Sequence, residues 1–193
     1  METDSVLIDA NCLHKIYLRT LLLTLSDCGL LEPKWSKEII AETIKSLGER
    51  FPKKVQEISQ RFDQIDRHFR DASISGYSDL VGSFGCKDSG DEHVLAAAIK
   101  GNCNVLLTFN TGDFPKGLEI RYGLHVRNPD DYLLLLAERQ PENFTMACVV
   151  WLKFFQKPKI VAEGGAKALS LAGCPRIGEW LEARAAQVNS LLR

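Results

Sequence analysis

Short apolar runs that end in polar turns are the clearest pattern along this chain. Val6-Leu7-Ile8 stops at Asp9-Ala10-Asn11, and the run over residues 105–108 stops at a turn over residues 110–113. Continuous runs of this length are typical of strands buried on both faces of a parallel sheet. Weaker signals predict further strands at Lys34-Trp35, at His125-Val126 and, within a Ser- and Gly-rich loop over residues 73–90, near Leu80-Val81.

Apolar positions three and four residues apart predict helices between these strands. Ser36 is a favourable N-cap for one of them, and Gly29 and Gly101 stand where two others are expected to end. The predicted helices cover residues 13–30, 36–48, 52–71, 91–100 and a segment around 132–136. Strands that alternate with helices indicate an α/β fold in which helices sandwich a parallel, Rossmann-like sheet.

The pattern changes beyond Gln140. Residues 142–156 are strongly apolar up to Pro158, and two more helical stretches follow at residues 161–172 and 176–192. We therefore predict an α/β domain over residues 1–140 and a helical C-terminal extension over residues 141–193. The apolar helix of this extension is expected to belong to the core, although part of it could form a dimer surface.

Composition limits the ways in which this protein can bind nucleic acid. Of 193 residues, 45% are hydrophobic and 25% are charged, which is enough apolar surface for a sizeable core. The formal net charge of −1 gives no overall attraction for nucleic acid, so a nucleic-acid enzyme must gather its basic residues on one surface. Six residues could form such a surface, although solvated helix faces explain them almost as well: Lys34, Lys37, Lys45, Arg50, Lys53 and Lys54.

The cysteines and the N-terminus indicate a reducing compartment. The six cysteines include no CxxC pair and no zinc-ligand spacing, so we expect reduced and mostly buried thiols. The opening residues Met1-Glu2-Thr3-Asp4 are acidic and polar, where a secretory signal would be basic and then apolar. No apolar run approaches the roughly 20 residues that span a bilayer. The sequence therefore predicts a cytoplasmic protein that does not engage a membrane.

Three aspartates stand at the predicted ends of strands and the start of a helix. Asp9 follows the first strand, Asp113 follows the strand over residues 105–108, and Asp91 opens the helix between them. Because the carboxyl ends of parallel strands meet at one edge, we expect these carboxylates to converge. Carboxylates packed together repel one another, and a hard divalent cation such as Mg²⁺ or Mn²⁺ removes that cost. The alternative is that Asp88 and Asp91 only cap the helix that follows.

Four segments, taken in order, resemble the PIN-domain nucleases and, within them, the VapC toxin ribonucleases. They are Val6 to Asn11, Ser36 to Glu42, Asp88-Ser89-Gly90-Asp91 leading into Val94 to Ala98, and Leu107 to Pro115. Their order and spacing span roughly residues 5–135, about two-thirds of the chain. Each segment is a weak signal alone, whereas four in order are specific. The resemblance implies a PIN-like version of the α/β fold described above.

The resemblance also implies a division of roles among the polar residues. The implied catalytic residues are Asp9, Glu42, Asp91 and Asp113. Of these, the implied ligands of Mg²⁺ or Mn²⁺ are Asp9, Asp91 and Asp113. The implied substrate contacts are Asn11, Thr108 and Asn110, although ordinary turn and strand-end roles suit the first two equally well.

Three positions leave alternatives open. Asn110 stands where many relatives carry an acid, and its amide could still bind metal or substrate while Asp113 supplies the charge. Glu38 lies four residues before Glu42 on the same helical face, so either could enter the site, and the motif register favours Glu42. His93 stands beside the acids, but a single histidine at a helix start is more often structural than catalytic.

The function implied by the resemblance is metal-dependent endonucleolytic cleavage of RNA. It further implies the toxin of a VapBC-type toxin–antitoxin pair, a homodimer that is inhibited by a cognate antitoxin protein. Two alternatives are an RNA-processing nuclease that is not a toxin, and a domain that binds RNA or a partner without cutting. A phosphatase with Asp9 as nucleophile is disfavoured, because Asn11 stands where a second acid would be needed.

Overall fold

The computed structural model describes residues 3–155 and 161–193. By their internal contacts these residues divide into two compact units. The first unit contains the described residues up to His14 together with Glu32–Arg127, and the second contains Lys15–Leu31 together with the described residues from Asn128 onward. The domain boundary at residue 140 that we predict from the sequence remains a prediction.

A five-stranded parallel sheet flanked by helices confirms the predicted α/β class. The strands are β1 (Asp4–Ile8), β2 (Leu31–Ser36), β3 (Ser73–Ile74), β4 (Val105–Leu107) and β5 (His125–Arg127), in the spatial order β3-β2-β1-β4-β5. In the register between β1 and β4, Ile8 stands opposite Leu107. The residues that follow these two strands therefore start from the same edge of the sheet.

The helices account for the predicted helical segments but divide several of them. They are α1 (Ala10–Leu13), α2 (Ile16–Asp27), α3 (Lys37–Arg50), α4 (Val55–His68), α5 (Glu92–Lys100), α6 (Leu118–Tyr122), α7 (Pro129–Arg139), α8 (Pro141–Phe154), α9 (Ala162–Leu171), α10 (Pro175–Glu182) and α11 (Ala185–Leu191). The predicted helix over residues 13–30 is wrong at its start, because Lys15 has an extended backbone that separates α1 from α2. The single predicted helix over residues 176–192 breaks near Arg184 into α10 and α11.

The apolar strands form the centre of the first unit. Val6, Leu7 and Ile8 in β1 are fully buried, as are Leu106 and Leu107 in β4, so both strands are covered on both faces. Helix α3 begins as predicted, with the Ser36 hydroxyl accepting a hydrogen bond from the Ile39 N–H at 3.2 Å. The continuous apolar runs of the strands and the N-cap of α3 are local sequence signals. The structure has these strands, and the start of this helix, where the signals predict them.

The strand predicted near Leu80-Val81 is wrong. Residues Ser78–Leu80 form a 3-10 turn, and the strand in this stretch is β3, where Ser73 and Ile74 pair with Trp35 and Ser36 of β2. Ile74 is buried, whereas Val81 is exposed. A two-residue edge strand carries too few apolar positions to be recognised by periodicity, and its pairing with β2 depends on tertiary contacts.

The described part of the second unit is mainly helical. In α8, Trp151 is fully buried and its indole N–H donates to the Thr20 hydroxyl of α2 at 3.0 Å. Buried Asp130 of α7 accepts from the backbone N–H of Arg176 and Ile177, and so caps α10. One face of α8 belongs to the core, as predicted for residues 142–156, but Met146, Val150 and Phe154 on its other face are exposed.

Two further sequence expectations concern the end of the apolar segment and the membrane. Pro158, predicted to end the apolar segment, lies outside the described residues. No helix among the described residues is long and apolar enough to cross a membrane.

A buried carboxylate organises the loop that precedes α5. Glu92 is only 6% exposed and accepts backbone hydrogen bonds from Gly82 at 3.1 Å, Phe84 at 3.2 Å and Cys86 at 2.7 Å. Burial by itself raises the pKa of Glu92, but the backbone donors outweigh it, so the pKa lies below its ordinary value. The loop over residues 82–86 is therefore folded around one anion.

We predict that Glu92→Gln destabilises the protein by roughly 2–4 kcal/mol. The amide nitrogen cannot accept, so at least one backbone N–H of the loop is left buried and unpaired. Urea unfolding at pH 7 measures this loss, with Glu57→Gln on the exposed face of α4 as the control. Equal stability of Glu92→Gln and the wild type would mean that the loop does not depend on this anion.

Candidate active site

The ends of β1 and β4 are joined through the side chains of Asp9, Asn11 and Thr108. The Asp9 carboxylate is 5% exposed and accepts from the Thr108 hydroxyl at 2.7 Å and from the Asn11 amide at 2.6 Å, both on Oδ2. The Asn11 amide also donates to the Thr108 hydroxyl at 2.8 Å, while its carbonyl accepts from the Phe109 N–H at 3.1 Å. Asp9 is thus held in one orientation from two sides.

Asp9 lies in an environment that resists ionisation. Burial raises the pKa of its carboxyl, and the charge of Glu42 raises it further. The Thr108 hydroxyl, the Ala10 N–H and His93 act in the opposite direction but do not outweigh burial. A cation beside Asp9 would favour the ionised form that these neighbours oppose.

Asp88 and Asp91 have different roles, although the sequence alone allows both to be helix caps. The Asp88 carboxylate accepts from the Gly90 N–H at 2.9 Å and caps the 3-10 turn Ser89–Asp91. Asp91 stands at the N-cap of α5 but makes no capping hydrogen bond with its side chain. Its carboxylate is therefore not committed to the helix.

The free carboxylate of Asp91 is surrounded by other acids. Burial raises the pKa of Asp91 to about 6, with further contributions from the negative charges of Asp9, Asp88 and Asp113. His93 lowers it by a smaller amount. Burial and these three acidic neighbours together hold a substantial fraction of Asp91 protonated near pH 6.

Asp113 stands in the turn that follows β4. The turn Thr111–Asp113 is closed by the Asp113 N–H, which donates to the Asn110 carbonyl at 3.1 Å. The Asp113 carbonyl accepts from the Lys87 N–H at 2.8 Å, which ties this turn to the loop that Glu92 organises. The Asp113 side chain is partly buried and its charge acts on Asp91.

Glu38 and Glu42 on α3 engage different partners. The Glu38 carboxylate accepts from the Tyr77 hydroxyl, and this hydrogen bond lowers the pKa of Glu38. Burial and the same hydrogen bond raise the pKa of Tyr77 to about 12. Glu42 instead contacts His93, with 2.9 Å between Glu42 Oε1 and His93 Nε2, and its charge acts on Asp9. Of the two acids, Glu42 is the one coupled to Asp9.

Asn110 differs from the other two residues that we predict to contact substrate. Asn11 and Thr108 are occupied in holding Asp9, whereas Asn110 is exposed in the turn after β4. The backbone N–H of Asn110 donates to the Thr108 hydroxyl at 3.1 Å, which fixes the position of this residue and leaves its side chain toward solvent.

The predicted basic surface is only partly available. The Lys34 ammonium donates to the Asp71 carbonyl at 2.9 Å and approaches Glu32 at 4.0 Å, so it supports local structure. Arg50 stacks over the ring of Phe51 at 5.3 Å. The remaining residues of the set are exposed on α3 and before α4: Lys37, Lys45, Lys53 and Lys54.

The acids have the chemistry of a cation site without forming a closed ligand shell. Within residues 3–155 and 161–193, no three His, Cys, Asp or Glu side chains stand close enough together to hold a metal ion. Their oxygen donors and their mutual repulsion nevertheless suit a hard divalent cation. Asp9, Asp91 and Asp113 are the residues that could hold one, with Glu42 beside them.

Sequence reasoning missed three features around this site. Glu92 is adjacent to Asp91 and was not singled out, although it follows a stretch with several glycines whose N–H groups are free to turn toward an anion. Tyr77 contacts Glu38 across a sequence separation of 39 positions, and His93 contacts Glu42 across a separation of 51 positions. No local pattern signals contacts of that kind.

Comparison with known proteins assigns the family. The family model described as PIN domain matches residues 5–112, more than half of the chain. The match includes Asp9, Glu42, Asp91 and Asn110, and it ends one residue before Asp113. Among curated proteins and among solved structures, no match to this chain was found. The matched range contains β1, β4 and the acids between them, and on this evidence the chain belongs to the PIN-domain family, whose members are generally nucleases and typically use divalent metal ions.

Proposed function

We propose that this protein is a metal-dependent endoribonuclease that hydrolyses internal phosphodiester bonds of RNA. The observation that carries the proposal is the partly buried Asp91 carboxylate beside Asp9, Asp88 and Asp113, where burial and then the charges of these three acids raise the pKa of Asp91 to about 6. A structural role would be served better by neutral or paired side chains, because this repulsion destabilises the folded chain.

The acids and their neighbours have separable tasks in this proposal. Asp9, Asp91 and Asp113 hold Mg²⁺ or Mn²⁺, and Glu42 completes the catalytic set. When bound, such an ion neutralises the acids, lowers the pKa of a bound water and stabilises charge on the phosphoryl group. In the overall reaction, water adds to phosphorus, one P–O ester bond breaks and the leaving oxygen takes up a proton.

The chain's own residues supply orientation and a path for RNA. Thr108 and Asn11 both hold the Asp9 carboxylate through its Oδ2 atom and so fix its orientation. Asn110, exposed beside this group, can donate to a phosphate or a base through its amide. The exposed lysines of α3 and the segment before α4 provide positive charge for the RNA backbone, so we expect binding that weakens with salt.

Cleavage of RNA is expected to require both the metal and the four acids. Asp9→Asn, Asp91→Asn and Glu42→Gln should each lower cleavage in Mg²⁺ or Mn²⁺ on the order of 100-fold, because each removes a charge that the transition state needs. The assay follows a labelled RNA with Mg²⁺, with Mn²⁺ and with chelator.

Glu38→Gln is the matched control for Glu42→Gln, because both acids lie on α3 and differ in their partners. We expect Glu38→Gln to cut at close to the wild-type rate. RNA binding by the wild type without cleavage in either metal would contradict the proposal and favour a domain that binds RNA without cutting it. The observation that favours this alternative is Asn110, which stands where many relatives carry an acid.

We predict that Asp91→Asn stabilises the metal-free protein. The folded-state pKa of Asp91 is about 6, above its ordinary value of 3.8, so the folded protein holds this proton more tightly than the unfolded chain does. Stability therefore falls as pH rises through the window between these values, and a neutral asparagine removes that loss. Since Asp91 is partly exposed, solvent screening reduces the effect to about 1 kcal/mol, or roughly 2–4 °C in Tm.

Thermal unfolding in chelator at pH 7.5 and pH 4 measures this effect. Asp91→Asn should melt above the wild type at pH 7.5 and together with it at pH 4. Mn²⁺ should raise the Tm of the wild type more than that of the variant, because the ion binds only the folded site. A lower Tm for the variant at pH 7.5 would mean that Asp91 is a structural acid.

The biological role that we propose is that of a cytoplasmic VapC-like toxin, homodimeric and held inactive by a cognate antitoxin. This part of the proposal is supported by the motif resemblance alone. Induced expression of the wild type in a bacterial host should then arrest growth, whereas Glu42→Gln at the same protein level should not. Metal-dependent cleavage in vitro with no effect on growth would favour an RNA-processing nuclease.

A further inference from the structure

His93 links the first turn of α5 to the exposed face of α3. Its Nε2 atom lies 2.9 Å from Glu42 Oε1, across 51 positions of sequence. The Glu42 side chain is 51% exposed, whereas the His93 side chain is 17% exposed. A glutamate this exposed would otherwise sample several rotamers in water, so the ordered histidine restricts a mobile carboxylate.

The hydrogen-bonding state of His93 follows from its partner. A carboxylate can only accept, so Nε2 must carry a proton and donate it to Glu42. The other ring nitrogen, Nδ1, is buried and has no hydrogen-bond partner among the described residues. A buried polar atom without a partner destabilises the folded protein, which a purely structural position would be expected to avoid.

The position of His93 connects this contact to the acids. His93 follows Asp91 by two residues in the first turn of α5. Its contact with Glu42 therefore brings the carboxylate of α3 to the turn that carries Asp91. The charge of Glu42 also acts on Asp9 at the end of β1.

We propose that His93 is a positioning residue of the nuclease site, which keeps the Glu42 carboxylate where its charge acts on Asp9, through the Nε2–H donation. The inference rests on the proposed function above and adds the residue that orients one of its acids. Residues that hold a catalytic carboxylate from behind typically contribute 10–100-fold to metal affinity or activity.

Two amide substitutions that differ by one methylene group test whether the contact itself matters, or only the presence of a polar side chain. In His93→Gln the amide nitrogen reaches about as far as Nε2 does, whereas in His93→Asn it reaches only about as far as Nδ1. We expect His93→Gln to retain cleavage within a few-fold of the wild type. We expect His93→Asn to lose about 10–100-fold.

A second readout reports on the site without cleavage. Mn²⁺ alone is the probe, and its effect on Tm is compared among the wild type, His93→Gln and His93→Asn in the full chain. The Mn²⁺-induced rise should be retained by His93→Gln and reduced in His93→Asn, because a released Glu42 no longer shares the site with the bound ion. The Tm values in chelator show whether each variant folds.

The matched control is a second His–Glu contact among the described residues of the first unit. His125 Nδ1 lies 3.5 Å from Glu119 Oε2, and both residues are more exposed than His93. His125→Asn should leave both cleavage and the Mn²⁺ response unchanged. A double-mutant cycle with Glu42→Gln completes the test, since His93→Asn should have no further effect once Glu42 has lost its charge.

The outcomes distinguish this inference from the proposed function. Equal losses in His93→Gln and His93→Asn, or independent losses from His93→Asn and Glu42→Gln, would overturn the positioning role while leaving the nuclease intact. A wild type that never cleaves RNA would overturn the proposed function itself. The Mn²⁺ response of Tm would then still report whether His93 and Glu42 act together.

Discussion

The Thr108 hydroxyl is the junction on which the arrangement of this site depends. It is fully buried, it donates to Asp9, and it accepts from the Asn11 amide and from the Asn110 N–H. One hydroxyl has one proton and two lone pairs, so its capacity is completely used. Because Asp9 follows β1 and Thr108 follows β4, this junction exists only when the two strands pair in the observed register. The pairing of the two strands in the sheet thus determines the position of Asp9.

Acidic residues that are close in sequence have different roles here because the surroundings of their carboxylates differ. Asp91 and Glu92 are adjacent in sequence, but burial and three other acids raise the pKa of Asp91, while backbone N–H groups lower that of Glu92. Asp91 is left free beside the other acids, and Glu92 shapes the loop that reaches Asp113 through Lys87. On α3, likewise, Glu38 is engaged by Tyr77 while Glu42 is held by His93. Environment therefore separates Asp91, whose carboxylate has other acids around it, from Glu92 and Glu38, whose carboxylates have hydrogen-bond donors as partners.

This uncompensated repulsion is the physical link between stability and the proposed activity. Membership of the PIN-domain family makes a nuclease the general expectation, and the coupling of Asp91 to its neighbours indicates where in this chain the chemistry would occur. A cost to the folded state that a bound cation relieves is typical of sites selected for binding.

The sequence by itself determined the strands β1 and β4, the cap of α3, the parallel α/β class and the set of acids at strand ends. Continuous apolar runs, capping residues and strand-end turns are local signals, and they remain valid wherever the segment packs. Tertiary structure alone decided that β3 lies at residues 73–74, that Glu42 rather than Glu38 is coupled to Asp9, that Glu92 organises the loop before α5 and that His93 contacts Glu42. Each of these depends on a partner distant in the chain or on backbone N–H groups, which all residues except proline carry. Neither leaves a pattern in the local sequence.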